Sequence, residues 1–161
     1  MKKTLADAVE ILPKIFVGNR HAAEDADFFS RHNVRAVLNV TATLPNTFRC
    51  DSQIEYLRIP VYDSEERRDV ARMKQYLPVI TEFIHKNVVI EKKVLLVHCV
   101  MGRQRSCAAL VSYLIRFYDM SSLDAVEYVL ARKPDAFHFG KTVNFARALN
   151  EYSETVDSAK V

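Results

Sequence analysis

The sequence predicts an α/β fold: a single domain with a central mixed or parallel sheet of about five strands and helices on both faces. Three observations carry this. Short apolar runs of strand length alternate along the chain with segments whose apolar residues recur at helical spacing. At 161 residues the chain has the length of one domain with a substantial core. The apolar run Lys93–Val97, a tight polar loop and the apolar run Cys107–Ile115 read as strand, loop and helix, which places Cys99 at the carboxyl end of a central strand, where such sheets bind ligands.

The elements follow in order. Residues 1–10 read as a short helical arm. Ile11–Asn19 reads as a strand or hairpin closed by Gly18-Asn19. From Ala22 to Arg31, Ala23, Ala26 and Phe29 share one helical face. Val34–Val40 is mostly apolar and so a central strand, and Ile54–Ile59 is the next. Thr41–Ser52 is a polar loop, and Pro60–Asp69 a charged one. Met73 to Lys86 spaces Met73, Leu77, Ile80, Phe83 and Ile84 as a helix does. Ser121 reads as an N-cap with Asp124 as its reciprocal acid, and Pro134 stops that helix. Phe139-Gly140 is a turn, Thr142 to Tyr152 the last helix, and 153–161 a frayed tail.

Composition narrows the function classes. Hydrophobic residues at 49% against charged residues at 27% describe a folded globular chain rather than a disordered one. A net charge of +3 suits an anionic substrate, and a polyanionic one stays open. No Lys/Arg cluster dominates, which disfavours nucleic acid without ruling it out. Three cysteines without Cys-x-x-Cys make no disulfide framework. They point to a reducing compartment, cytoplasm or nucleus, or to a virion if the source is viral. Cys50 and Cys107 read as incidental or packed thiols, with a protective disulfide to Cys99 as the alternative. The five histidines are scattered, so no metal site and no cofactor are expected. The N-terminus turns acidic at Asp7 before any apolar stretch, unlike a signal peptide, and no uncharged apolar run reaches membrane-spanning length. Monomer and homodimer both stay open.

The chemistry is placed at His98-Cys99-Val100-Met101-Gly102-Arg103-Gln104-Arg105-Ser106. A tight loop from a buried strand into a helix can bring the amides of Val100, Met101, Gly102, Arg103, Gln104 and Arg105 onto one point, at the positive end of the helix. That point suits a phosphate, and the same field favours the thiolate of a cysteine beneath it. Arg105, six residues after Cys99, can return as a planar fork for two phosphate oxygens. Gly102 is one of three glycines and falls where the loop turns sharply. The plain alternative is a buried cysteine at a strand end beside a surface arginine.

His-Cys-x-x-Gly-x-x-Arg-Ser resembles the signature of the cysteine-dependent protein phosphatases. Glu10–Pro13 with Ile15–Asn19, Val37–Thr41, Ile59–Asp63 and Ser112–Ile115 are similar to segments of the small, H1-like dual-specificity phosphatases, so the likeness covers residues 10–152. Met101 and Gln104 stand where that family often has Ala and Ser or Gly. Lys141-Thr142 replaces its late Pro-Asn.

The resemblance implies a protein tyrosine phosphatase-like fold. It implies hydrolysis of phosphotyrosine and phosphoserine/phosphothreonine on protein substrates through a phosphocysteine. Cys99 is then the nucleophile, Arg105 and the amides of Val100 to Arg105 bind the phosphoryl group, and Ser106 donates to the sulfur as it leaves. The charged loop offers Asp63, Glu65, Glu66 and Asp69 as general acid. The resemblance selects Asp63, directly after Ile-Pro-Val-Tyr. His98 orients the loop from behind, as a packed or an electrostatic group. Asn39 braces the loop through its amide or is an ordinary strand-end asparagine. Arg103 is a second cation at the pocket rim or a solvated arginine. No stretch supplies the extra segment that deepens the pocket of tyrosine-specific phosphatases. Phosphatases of phosphoinositides, inositol phosphates and RNA 5′-phosphates share the chemistry. A non-catalytic phosphate-binding module is the other rival.

Overall fold

The structure, a computed structural model, describes residues 5–160. The strands are β1 (Ala8–Leu12), β2 (Ile15–Gly18), β3 (Val34–Asn39), β4 (Glu55–Arg58) and β5 (Val94–His98). They form one five-stranded sheet in the order β1-β2-β5-β3-β4. The β1/β2 hairpin is antiparallel and every other neighbouring pair is parallel. β5 therefore lies mid-sheet, with β2 and β3 on either side.

The period-2 alternation of the strands feeds two cores. Phe16, Val34, Val37 and Leu96 point to a smaller core closed by Ala22 and Ala23 of α1 (Arg20–Glu24) and Phe28 and Phe29 of α2 (Ala26–His32). Ile15, Val17, Ala36, Leu38, Leu95 and Val97 point to a larger one. It is roofed by α3 (Arg67–His85), α4 (Arg105–Phe117), α5 (Ser122–Arg132), the short turn α6 (Ala136–Gly140) and α7 (Ala146–Ser158). Burial from both sides is why β5 is an almost unbroken apolar run.

Several boundaries differ from the sequence expectation. Residues 8–10 belong to β1 and pair with β2 where the sequence predicts a helical arm, while Ile11 and Leu12 fall in the segment read as strand or hairpin; residues 1–4 of the arm lie outside the described residues. The hairpin turns at Pro13-Lys14, with Lys14 at φ 69°, not at Gly18-Asn19. Asn19 instead caps α1 by accepting from the Ala22 amide. The helix predicted over 22–31 breaks at Asp25, whose carboxylate caps α2 by accepting from the Asp27 and Phe28 amides. α3 starts at Arg67, ahead of Met73, and carries Pro78 inside it. α5 starts as expected, with Ser121 Oγ accepting from the Asp124 amide at 3.1 Å.

The last helix begins at Ala146 rather than Thr142. The Gln104 side chain holds the Thr142 carbonyl and the Asn144 amide, so these groups are drawn away from a helical start. It continues to Ser158 where a frayed tail is predicted, because Val156 is buried on α7. No described helix is long and apolar enough to cross a membrane. Among the described residues no cluster of three or more His, Cys, Asp or Glu could hold a metal ion.

Candidate active site

β5 ends at His98 and α4 begins at Arg105, so Cys99 to Gln104 must turn at the carboxyl end of the central strand. The loop's carbonyls are drawn outward. Val100 O accepts from Arg20 N at 3.0 Å, Arg103 O from Phe137 N at 2.8 Å and Gln104 O from Ala108 N at 2.8 Å. Gly102 O accepts from Cys107 Sγ at 3.4 Å. The amides from Val100 to Gln104 donate to no protein acceptor among the described residues, the pattern of an anion-binding nest. Gly102 has φ +69°, and a Cβ there would lie 2.8 Å from the Gly18 carbonyl carbon and oxygen. Glycine is what lets the loop rest on the end of β2. α4 has no side-chain N-cap, because Gln104 at the cap position commits its amide to residues 142 and 144. The first amides of this 13-residue helix are left for the same anion.

Cys99 is buried, with its Sγ 3.2 Å from Ser106 Oγ. Arg105 is 8% exposed; its Nη1 donates to the Val61 carbonyl at 3.1 Å, while its buried Nε has no partner. A buried guanidinium nitrogen without a partner is costly, and an anion at the loop would satisfy it. Burial also draws the His98 imidazole down to about 4, reinforced by Arg58 and Arg105 and opposed by the hydrogen bond to Cys99. The ring is therefore neutral, and its Nδ1–H donates to the Cys99 carbonyl at 3.3 Å. His98 thus packs behind Cys99 as a neutral ring. Cys107 is packed behind the loop, where burial pushes its thiol up. Cys50 is exposed, and all three cysteines are free.

Asp63 stands on the exposed loop after β4, its Oδ1 accepting from Asn144 Nδ2 at 2.8 Å. Glu65 and Glu66 are exposed, whereas Asp69 is buried in the first turn of α3 with Arg68 Nε 3.9 Å away. The loop carrying Asp63 meets the loop from Cys99 to Arg105 twice. One link is Val61 to Arg105. The other runs through Asn144, whose N–H donates to Gln104 Oε1 at 3.1 Å while Gln104 Nε2 donates to the Thr142 carbonyl at 2.7 Å.

Two expectations need correction. Asn39 does not brace the phosphate loop. Its Nδ2 donates to Leu44 O at 2.9 Å and Asn46 Oδ1 at 3.0 Å, and its Oδ1 accepts from Thr41 Oγ1 at 2.7 Å. It shapes the loop that follows its own strand, where Arg58 also holds the Thr41 and Leu44 carbonyls. Arg103 is half-buried and engaged on one side rather than free at the rim. Its Nε lies 3.5 Å from Asp135 Oδ2 and its guanidinium 5.4 Å from the Phe139 ring centre. Asp135 in turn pairs with buried Lys133 at 2.8 Å. Met101 is the exposed member of the loop. Sequence reasoning missed the Gln104 side chain and Asn144. A long amide where the family often has a small residue was the signal for Gln104. Asn144 carried none, since its partner is 81 residues away.

The family model for the dual specificity phosphatase catalytic domain matches residues 15–155. The chain is 37% identical over 135 residues to dual specificity protein phosphatase Mpk3 of Drosophila melanogaster, covering 81% of this chain and 32% of that protein. It is 33% identical over 125 residues to dual specificity protein phosphatase 18 of Rattus norvegicus, covering 78% and 58%. It thus spans about a third of the length of the first of these curated relatives and less than three fifths of the second. A mouse putative dual specificity phosphatase, solved in complex with zinc tungstate, superposes with a TM-score of 0.79 over 99% of this chain and 94% of that one. At 22% identity that likeness speaks for the fold. The matched span encloses both the loop carrying Asp63 and the loop from Cys99 to Ser106, and the chain belongs to the family of dual specificity phosphatase catalytic domains.

Proposed function

We propose that this chain is a single catalytic domain that hydrolyses phosphotyrosine and phosphoserine/phosphothreonine on proteins through a phosphocysteine intermediate. The observation that carries the reading is one uncapped helix start that joins Cys99 Sγ, 3.2 Å from Ser106 Oγ, to a buried, unpartnered Arg105 Nε. Family membership supports it.

The Cys99 sulfur attacks phosphorus, and the bond from phosphorus to the ester oxygen breaks. Asp63 supplies the proton that lets this oxygen leave as an alcohol. Arg105 and the amides of Val100 to Arg105 hold the phosphoryl oxygens throughout. Water then attacks the phosphocysteine and gives its proton to Asp63. The sulfur–phosphorus bond breaks, inorganic phosphate is released, and the Ser106 hydroxyl donates to the departing thiolate. Such a nucleophile needs a reducing compartment, cytoplasm or nucleus. With Arg103 engaged by Asp135 and Phe139, the loop lacks the free second cation that would favour phosphoinositides or inositol phosphates, and Met101-Gly102 and Ser106 do not match the His-Gly and Thr that RNA 5′-phosphatases tend to carry there.

A panel of phosphopeptides, phosphoinositides, inositol phosphates and triphosphorylated RNA tests this, with Cys99→Ser as control. Turnover of phosphotyrosyl and phosphoseryl or phosphothreonyl peptides is expected. Preference for the lipid, inositol or RNA substrates would contradict the substrate class. Failure to turn over even a generic aryl phosphate would leave a binding module.

A further inference from the structure

We infer that Asn144 is a positioning residue for the general acid, registering the Asp63 carboxyl against the phosphate loop through Gln104. The inference rests on the reading of Asp63 as the acid. Asp63 is exposed, and an unrestrained carboxyl on an exposed loop samples several rotamers. Its Oδ1 is held by Asn144 Nδ2 at 2.8 Å. An amide N–H can only donate, so Oδ1 is kept as an acceptor and the transferable proton is left to Oδ2.

Asn144 is itself fixed from the phosphate loop. The side chain of Gln104 is a two-pronged clamp, Oε1 accepting from Asn144 N–H at 3.1 Å and Nε2 donating to the Thr142 carbonyl at 2.7 Å. Gln104 is 1% exposed, so the clamp is shielded from competing water. A second tether acts two residues before the acid, where Val61 O accepts from Arg105 Nη1 at 3.1 Å. Main chain and carboxyl are thus each referred to the loop that binds the phosphoryl group. An exposed hydrogen bond adds little to folding stability. Its consequence is geometric: the acid is set before the substrate arrives, and a small misplacement of a reacting group lowers rate steeply.

The test compares Asn144→Ala and the isosteric Asn144→Asp with Asp63→Asn on two substrates. One is a phosphotyrosyl peptide, whose leaving oxygen needs a proton; the other is an activated nitrophenyl phosphate, whose leaving oxygen does not. Inhibition by inorganic phosphate monitors the integrity of the phosphate loop. Asn144→Ala should lower kcat on the peptide about tenfold, within the range that a general acid contributes, and kcat on the nitrophenyl ester less than about twofold. KM and phosphate inhibition should hold. Asn144→Asp, which replaces the donor by an acceptor, should lose at least as much on the peptide. In an Asp63→Asn background, Asn144→Ala should add nothing. Equal losses on both substrates, full additivity with Asp63→Asn, or no loss at all would overturn the inference while Asp63→Asn alone still shows its leaving-group dependence. If Asp63→Asn alone affects both substrates equally, the acid assignment falls, and the inference with it.

Discussion

The loop from Cys99 to Gln104, the proposed phosphate loop, and the loop carrying Asp63, the proposed acid loop, are held in opposite ways. The phosphate loop is buried at Cys99, Gly102, Gln104, Arg105 and Ser106, with its carbonyls fastened to β2–α1, α4 and α6 and a glycine seated against Gly18. The acid loop leaves Asp63 in water, with Asn144 as partner to its carboxyl and Val61 as the tether of its main chain. The difference follows from the two tasks. A cradle for a multiply charged group works by not rearranging, so its dipoles must be fixed beforehand. An acid that protonates a leaving group and then accepts a proton from water must stay within reach of both.

The comparison can be broken from either side. The largest effect is expected from Cys99→Ser, which should abolish turnover while leaving the fold and the affinity for inorganic phosphate intact, as checked by assay and by competition binding. Asp63→Asn should come next, lowering kcat on a phosphotyrosyl peptide roughly 10²-fold and much less on an activated ester. If Asp69→Asn were the damaging change instead, the acid would lie in the first turn of α3. Protonation behind the loop supplies a third probe. The folded His98 ring stays neutral down to about 4 against an ordinary value of 6.5. Stability is therefore fully present above pH 6.5 and falls as pH drops towards about 4, by roughly 3 kcal/mol at most. Denaturant unfolding across that window should show a smaller acid loss in His98→Asn than in the unsubstituted chain, and an identical slope would mean that the ring is not held neutral. The smallest effect belongs to Arg103→Ala. Because the guanidinium meets Asp135 and Phe139, its loss should cost several-fold in kcat/KM, equally on singly and multiply charged substrates, at about 1 kcal/mol. A loss confined to multiply charged substrates would return it to the pocket rim.

The same contrast decides what could be read from residue order. Cys99, Gly102, Arg105 and Ser106 act within one strand-loop-helix, so their spacing alone implies the loop. The sheet was legible for a similar reason, since Leu95–Val97 and Val37–Leu38 announce buried central strands. Asp63 needed the family resemblance, because the charges around it look alike in sequence. Asn144 and the clamp from Gln104 were not legible, since they join residues 81 and 38–40 positions apart. Asn39 misled because its register partner is His98 while its side chain serves residues 44 and 46. The first half of β1 reads as helix because Ala8–Glu10 are half-buried or exposed, so the segment shows no alternation of buried and exposed side chains.

The central claim is that Cys99 carries the phosphoryl group between the two steps. Acid quench of the protein during turnover of a phosphotyrosyl peptide, followed by mass spectrometry of the proteolysed chain, tests it most directly. The expected result is a phosphate adduct on the peptide containing Cys99, lost in Cys99→Ser. Rapid turnover with no adduct, or an adduct that maps to another residue, would contradict it.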